Sequence, residues 1–318
     1  MRRRLCWRGR IVLIEGGVPG VKLFVAAIVK DEQTALLEWL AWHRVVGVSG
    51  FLIADNGSTD GTRELLLALQ AAGVLQVFDF PGELGKTPQL PAYRMLLRRC
   101  PATVDALAFI DADEFLLPLD GEASLLPFVR TRFADERVSA VALNWANFGS
   151  SGEQFAGDGL VIERFTRRAP QAFGANHNYK SIVCPARAAS FHNPHYVNLH
   201  SGLYVDAAGR ELVEHPHQGP GLSAEVCWQG ARVNHYAVKS LEEFLLGKAR
   251  RGSAATLSRI KHQAYFKAHD RNDEPCLLAA NLAPAVREEM ARLQALLDAA
   301  PVGWPARWRA WWRGRGAV

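Results

Sequence analysis

Paired cysteines are missing from this chain. Its five cysteines, Cys6, Cys100, Cys184, Cys227 and Cys276, are scattered, odd in number and form no C-x-x-C pair. That argues against a disulfide framework and a cysteine-built zinc site, and is in keeping with a reducing cytoplasm. Long hydrophobic runs are missing too. No stretch reaches the roughly 18–20 apolar residues that a membrane span needs, and the apolar Ile11–Ile14 that follows the basic start is too short for a secretion signal. The ten histidines include no H-E-x-x-H pair, which excludes a metalloprotease-type zinc site. Zinc-finger spacing, RNA-binding aromatic motifs and internal repeats are likewise absent, so nucleic acid is not an expected partner.

What is present is the composition of a globular enzyme-sized chain: 318 residues, 49% hydrophobic and 22% charged, enough for one large α/β domain with appendages. The net charge of +5 is largely local, because residues 299–318 hold four arginines and no acid. Residues 22–143 alternate strand and helix signals, as a βαβ-layered domain does. Leu23–Val29 is an apolar strand ending in Lys30-Asp31-Glu32. A helix from Thr34 carries Leu36, Trp39, Leu40 and His43 on one face, with Gly47 as its stop. Phe51–Ala54 is a buried strand ending at Asp55, and Ser58, Thr59 and Asp60 are cap candidates for the helix that Gly73 terminates. Further strands are expected at Val74–Phe80, Ala106–Ile110 and Val138–Leu143, and a helix at Pro88–Arg99. From Asn144 to about Gln229 the composition suggests loops and short strands wrapped over the sheet. Helices return at Ser240, whose S-x-x-E spacing to Glu243 is a capping box, and continue at about Ala254–His269 and Pro284–Ala299.

In an open parallel sheet, ligands bind beyond the carboxyl ends of the strands. Three successive strand ends here carry acids: Lys30-Asp31-Glu32, Asp55-Asn56-Gly57-Ser58 and Asp111-Ala112-Asp113-Glu114. The last brings three carboxylates to the edge of an apolar strand, where one would protonate unless a cation intervened. A hard divalent cation, Mg²⁺ or Mn²⁺, is the economical solution. It would neutralise charge building on a leaving diphosphate.

Taken in order, VKDEQTALLEWLAWHRVVGV, FLIADNGSTDGT, FIDADEFL, NWANFGSSG, YKSIV and VNHYAVKSLEEF resemble the GT-A glycosyltransferases, above all family 92 and its family-2-like bacterial relatives. The resemblance runs from about Lys22 to Arg271. It implies an α/β GT-A fold, Rossmann-like with a mostly parallel sheet flanked by helices, over residues 22–275. Residues 1–21 would be an N-terminal extension, and 276–318 a helical C-terminal extension. It also implies a UDP-sugar donor, Mn²⁺ or Mg²⁺, and transfer with inversion, galactose being among the sugars moved. Residue by residue, Glu32 and Asp55 match positions that contact the nucleobase or ribose, and Lys86 lies where relatives offer polar groups to the nucleotide. Asp111 matches the first aspartate of the DxD motif, near ribose and metal, and Asp113 the second, a metal ligand. His235 matches the late histidine that completes a metal sphere.

An inverting transfer needs a general base for the acceptor hydroxyl. Glu153, after a Gly-Ser-Ser-Gly loop, is the favoured candidate, with Asp158 second, and Glu163 and Asp270 behind them. Trp145 and Phe148 are candidates for a sugar-stacking platform. In the tail, Trp304, Trp308, Trp311 and Trp312 share one face of a helix flanked by Arg307, Arg309, Arg313 and Arg315. That pattern suits a membrane interface, so the expected location is cytoplasmic, at the inner membrane face, with a glycan or glycolipid acceptor. The competing readings are a nucleotidyltransferase, which lacks its Gly-rich signature at Leu23–Glu32, and a non-catalytic carbohydrate- or lipid-binding protein on a degenerate fold.

Overall fold

A computed structural model of the chain describes residues 20–82, 86–251 and 261–299. The Trp-rich tail, most of the N-terminal extension and the front of the expected 254–269 helix lie outside those residues. The first half follows the alternation read from sequence: β1 (Leu23–Val29), α1 (Gln33–Val45), β2 (Gly50–Asp55), α2 (Thr62–Ala71), β3 (Gln76–Asp79), α3 (Gln89–Arg99) and β4 (Ala106–Phe109). β5 (Glu114–Pro118) and β6 (Val138–Asn147) follow. In the main sheet β3, β2, β1 and β4 lie side by side and parallel. The order then continues through the Tyr179–Val183 strand, β6, the Ala231–His235 strand and β5. The architecture is thus the mixed α/β, mostly parallel sheet expected from the sequence.

The middle of the chain corrects one expectation. Tyr179–Val183 does not wrap over the sheet but is inserted into its centre, antiparallel to both β4 and β6. Every residue of this strand is buried. A short strand buried on both faces has no alternating pattern to mark it. Another strand, for which no expectation was drawn from the sequence, begins at Glu114. After β6 the chain makes one helical turn, Val161–Arg164, which carries Glu163.

Side chains of β1 alternate between two cores, as the two-residue period of a strand requires. Leu23, Val25, Ala27 and Val29 face α1 and α2, while Ala26 and Ile28 face Tyr93, Leu96 and Phe109 on the other side. The Ala283–Ala299 helix packs on α1, and its Val286, Leu293 and Leu297 join the first core. Arg44 pairs with Glu289 across that contact.

The loop after β2 holds the start of α1. The α1 residues nearest its N-terminus have no intrahelical acceptors. Ser58 Oγ accepts from Asp31 N–H (3.0 Å), Thr62 Oγ1 from Glu32 N–H (2.8 Å) and an Asp60 oxygen from Gln33 N–H (3.0 Å). Of the expected cap residues, Ser58 and Asp60 thus hold the neighbouring helix, while Asp60 also accepts from Thr62 N–H (2.9 Å) at the start of α2, and Gly61, with φ +107°, precedes α2.

At the far edge of the sheet, α1 does the work of a missing strand. β5 pairs with Ala231–His235 on one side only. On its other side Trp39 Nε1–H donates to Glu114 O and Trp42 Nε1–H to Leu116 O, both at 2.8 Å. Leu116 N–H donates to His43 Nε2 (3.3 Å), while His43 Nδ1 meets Trp39 O (2.8 Å). The ring must be neutral to accept from Leu116, and burial pushes its pKa down to about 3. Since an unfolded His43 protonates near 6.5, its stabilising effect is complete above that pH. It is lost as pH falls toward 3. His43→Leu leaves Leu116 N–H unpaired and is expected to lower stability by about 1–3 kcal/mol at pH 7. Urea unfolding at pH 7 and pH 4.5 should show that gap narrowing in acid.

Candidate active site

β4 ends at Phe109, and residues 111–113 carry the chain across the carboxyl ends of the strands to β5. A turn closed by Glu114 N–H donating to Asp111 O (3.1 Å) makes the crossing. The antiparallel Tyr179–Val183 strand begins where β4 ends, with Phe109 opposite Ser181. Its second residue, Lys180, is therefore delivered to the DxD turn. Lys180 is buried, and its ammonium lies 2.9 Å from Asp111 Oδ2 and 3.4 Å from Glu114 Oε2. Gln89 Nε2 (2.8 Å) and Tyr93 OH (3.1 Å) donate to Asp111 Oδ1 from the first turns of α3. Burial works against the charge on Asp111, but Lys180 outweighs it and holds the carboxyl below its usual range.

Glu114 is the carboxylate that yields. It is fully buried; Oε2 accepts from Asp111 N–H (2.7 Å), and Oε1 has no hydrogen-bond partner. Burial, with Asp111 and Asp113 nearby, pushes it up to about 8 despite Lys180. The charge problem posed by three adjacent acids is thus met partly by a buried ammonium and partly by this shift.

Asp113 belongs to a second group. Its Oδ2 lies 3.5 Å from His235 Nε2 and is paired with Lys248 Nζ. The Lys248 ammonium outweighs burial and holds the Asp113 carboxyl well below its usual range. Tyr236 N–H donates to Asp113 O (2.9 Å), because Ala231–His235 is paired with β5 so that His235 faces Glu114. The histidine tautomer follows from its neighbours. Asn147 Nδ2 donates to Asn176 Oδ1 (2.8 Å), which turns Asn147 Oδ1 toward His235 Nδ1 (3.2 Å). Nδ1 must therefore carry the hydrogen, and burial keeps the ring neutral, its pKa pushed down to about 4. That leaves the Nε2 lone pair facing a carboxylate oxygen.

Two lone pairs at that separation are a donor set that a cation fits, and the Lys248 ammonium already rests on the same Asp113 oxygen. Asp111 does not share it: its two oxygens are taken by Gln89, Tyr93 and Lys180. The expected trio is thus divided, and among the described residues no three His, Cys, Asp or Glu side chains form a metal group.

The other candidates are placed as follows. Asp55 is buried at the end of β2, where Ser58 N–H (3.2 Å) and Arg63 (3.4 Å) engage its oxygens. Glu32 stands at the start of α1, close enough for its charge to act on Lys248. Lys86 is exposed ahead of α3. Glu153 and Asp158 lie on an exposed loop, tied down where Leu241 N–H donates to Glu153 O (3.3 Å). Glu163 is engaged by Arg287, and Asp270 accepts from Ser150 N–H (2.7 Å), so both have structural duties. Phe148 is core, packed on Tyr236. Trp145 stands between His235 (4.1 Å) and His195 (5.1 Å), beside the Asp113 group. Gln89, Tyr93, Lys180 and Lys248 escaped the sequence reading. Only Lys180 left a signal, as a lone charge inside the apolar YKSIV.

A layered α/β domain with acids gathered at the carboxyl ends of its parallel strands is the kind of scaffold on which nucleotide-sugar transferases are built. The chain belongs to glycosyltransferase family 92, whose model matches residues 25–218. A family 92 protein of Oryza sativa subsp. japonica, Os08g0121900, is 26% identical over 221 residues, covering 69% of this chain and 34% of that protein. The chain thus spans about a third of that relative's length. Among solved structures, S. aureus TarS (residues 1–349) is similar at 15% identity and TM-score 0.35, over 52% of this chain and 48% of that one. The mannosyltransferase PcManGT of Pyrobaculum calidifontis shows 20% identity and TM-score 0.30, over 38% and 35%.

Lys180→Met would leave Asp111 and Glu114 facing each other without a counter-ion. A loss of about 3–5 kcal/mol is expected from removing one partner of a buried ionic group. Adding Glu114→Gln should recover part of it, and urea unfolding of the two variants checks both.

Proposed function

We propose that this chain transfers a glycosyl group from a UDP-sugar to a hydroxyl of a glycan or glycolipid, with inversion at the anomeric carbon. The observation that carries this is the pair of polar groups at the DxD turn, Asp111 in one and Asp113 with His235 in the other, in a chain of family 92. Asp113 and His235 would hold Mn²⁺ or Mg²⁺, which when bound supplies positive charge against the donor diphosphate. Asp111, oriented by Gln89, Tyr93 and Lys180, serves the ribose side. Glu32, Asp55 and Lys86 serve the nucleotide. For Asp55 that service is indirect, since its buried carboxylate shapes the loop through Ser58 and Arg63.

In the reaction the acceptor oxygen bonds to the anomeric carbon as the bond from that carbon to the phosphate oxygen breaks. The electron pair leaves with the diphosphate, and the acceptor proton passes to a carboxylate base. Glu153 is our choice for the base and Asp158 the second; galactose is our choice of sugar. The Trp- and Arg-rich tail, residues 303–318, would bring the enzyme to anionic membranes that hold its acceptor. Among the described residues, no helix is long and apolar enough to cross a membrane.

A panel of UDP-sugars tested for donor hydrolysis with and without Mn²⁺ checks this reading. Hydrolysis of at least one UDP-sugar, lost on metal removal, is expected, and a chain inert toward all of them would sink the proposal. Asp113→Asn, which removes a charge while keeping size, should lower turnover at least a hundredfold, about 3 kcal/mol of lost transition-state stabilisation, and a melting curve read alongside separates that loss from the effect of leaving Lys248 without its partner. Glu153→Gln should lower kcat of transfer while leaving UDP affinity unchanged. If Asp158→Asn alone shows that pattern, the base is Asp158.

A further inference from the structure

Lysines at the DxD turn come from two places that differ in kind. Lys180 is part of the sheet and is committed to Asp111 and Glu114. Lys248 and Lys261 arrive from the helical segment beyond the sheet. There Ala237, Val238 and Phe244 form a small core of their own, with Ala249, Tyr265 and Phe266 packed against it. Lys248 Nζ donates to Ala237 O (2.8 Å) and pairs with Asp113. Lys261 Nζ lies 3.2 Å from Tyr265 OH and 4.3 Å from the centre of that ring. Tyr265 in turn stacks on His269, ring centres 3.9 Å apart, and lies parallel to Phe244 at 6.1 Å. Among the described residues no carboxylate lies at ion-pair distance from Lys261.

We propose that Lys248 and Lys261 form a cationic pair for the diphosphate of the donor, facing the DxD turn from the helical side. This rests on the donor-site reading above. A part-buried ammonium that, among the described residues, meets a hydroxyl and an aromatic face rather than a carboxylate is well placed to receive an anion. Burial and the neighbouring Lys248 push Lys261 down to about 8, while Asp113, Asp111 and Glu114 act in the opposite sense, so it stands within electrostatic reach of all three. Lys248 already bridges to Asp113, the residue assigned to the metal. A diphosphate arriving beside that metal would meet one lysine on the Asp113 side and another over Tyr265. Lysine suits this task, because an ammonium is a compact point charge for phosphate oxygens.

The test compares UDP, which carries the diphosphate, with uridine, which does not. Calorimetry and ligand-observed NMR on the full chain with Mn²⁺ would give both affinities for wild type, Lys261→Met and Lys261→Arg. Lys261→Met should weaken UDP about tenfold, leave uridine unchanged and flatten the salt dependence of UDP binding. Lys261→Arg should restore most of the loss. Lys248→Met should also weaken UDP and spare uridine. If wild type binds UDP and Lys261→Met binds it equally well, or loses uridine in the same proportion, the cationic pair is overturned while the donor site stands. If wild type binds neither ligand, the donor-site reading falls and the cationic pair with it.

Discussion

The arrangement depends on one buried ammonium. Lys180 is the counter-ion that lets two acids, Asp111 and Glu114, sit at the centre of a sheet whose surrounding residues are apolar. Without it both carboxyl groups would bear the cost of desolvation with little return. The lysine reaches that place only because an antiparallel strand is wedged between β4 and β6. A parallel strand there would have delivered its last residue rather than one of its first. The reversal in strand direction is therefore part of the site's chemistry.

The second constraint is the sheet edge. Glu114 opens β5, an edge strand, and an edge leaves backbone groups without partners. Trp39, Trp42 and His43 satisfy three of them from one helix, at 2.8, 2.8 and 3.3 Å. The same strand carries on its other side the pairing that sets His235 opposite Glu114. Aromatic side chains of α1 thus fix the strand that brings Asp113 and His235 together. Two tryptophans and a histidine that look like ordinary core residues in the sequence are, in the fold, what closes the sheet edge beside the candidate site.

The two halves of the DxD turn are built differently, and this bears on their chemistry. Asp111 accepts from three side chains of α3 and the sheet, which hold it in place. Asp113 faces a histidine lone pair and a lysine that comes from outside the sheet, so its partners can be exchanged for a ligand's. A site of this design keeps one carboxylate as scaffold and offers the other.

Much of the scaffold was legible in the residues themselves. Apolar runs ending in acids marked β1, β2 and β4, and the S-x-x-E spacing at Ser240 marked a capped helix, because strand and cap signals are local. DxD at a strand end was legible for the same reason. Local signals could not show that Ser58, Asp60 and Thr62 cap α1 rather than only their own helix, since that contact joins residues about thirty positions apart. Nor could they reveal that Lys180 lies against Asp111, sixty-nine residues away, or that Lys248 reaches Asp113. Such partners are chosen by strand order and register, which depend on burying the whole sheet. Composition and spacing determined which carboxylates stand at the strand ends; only the tertiary structure decided which cations answer them.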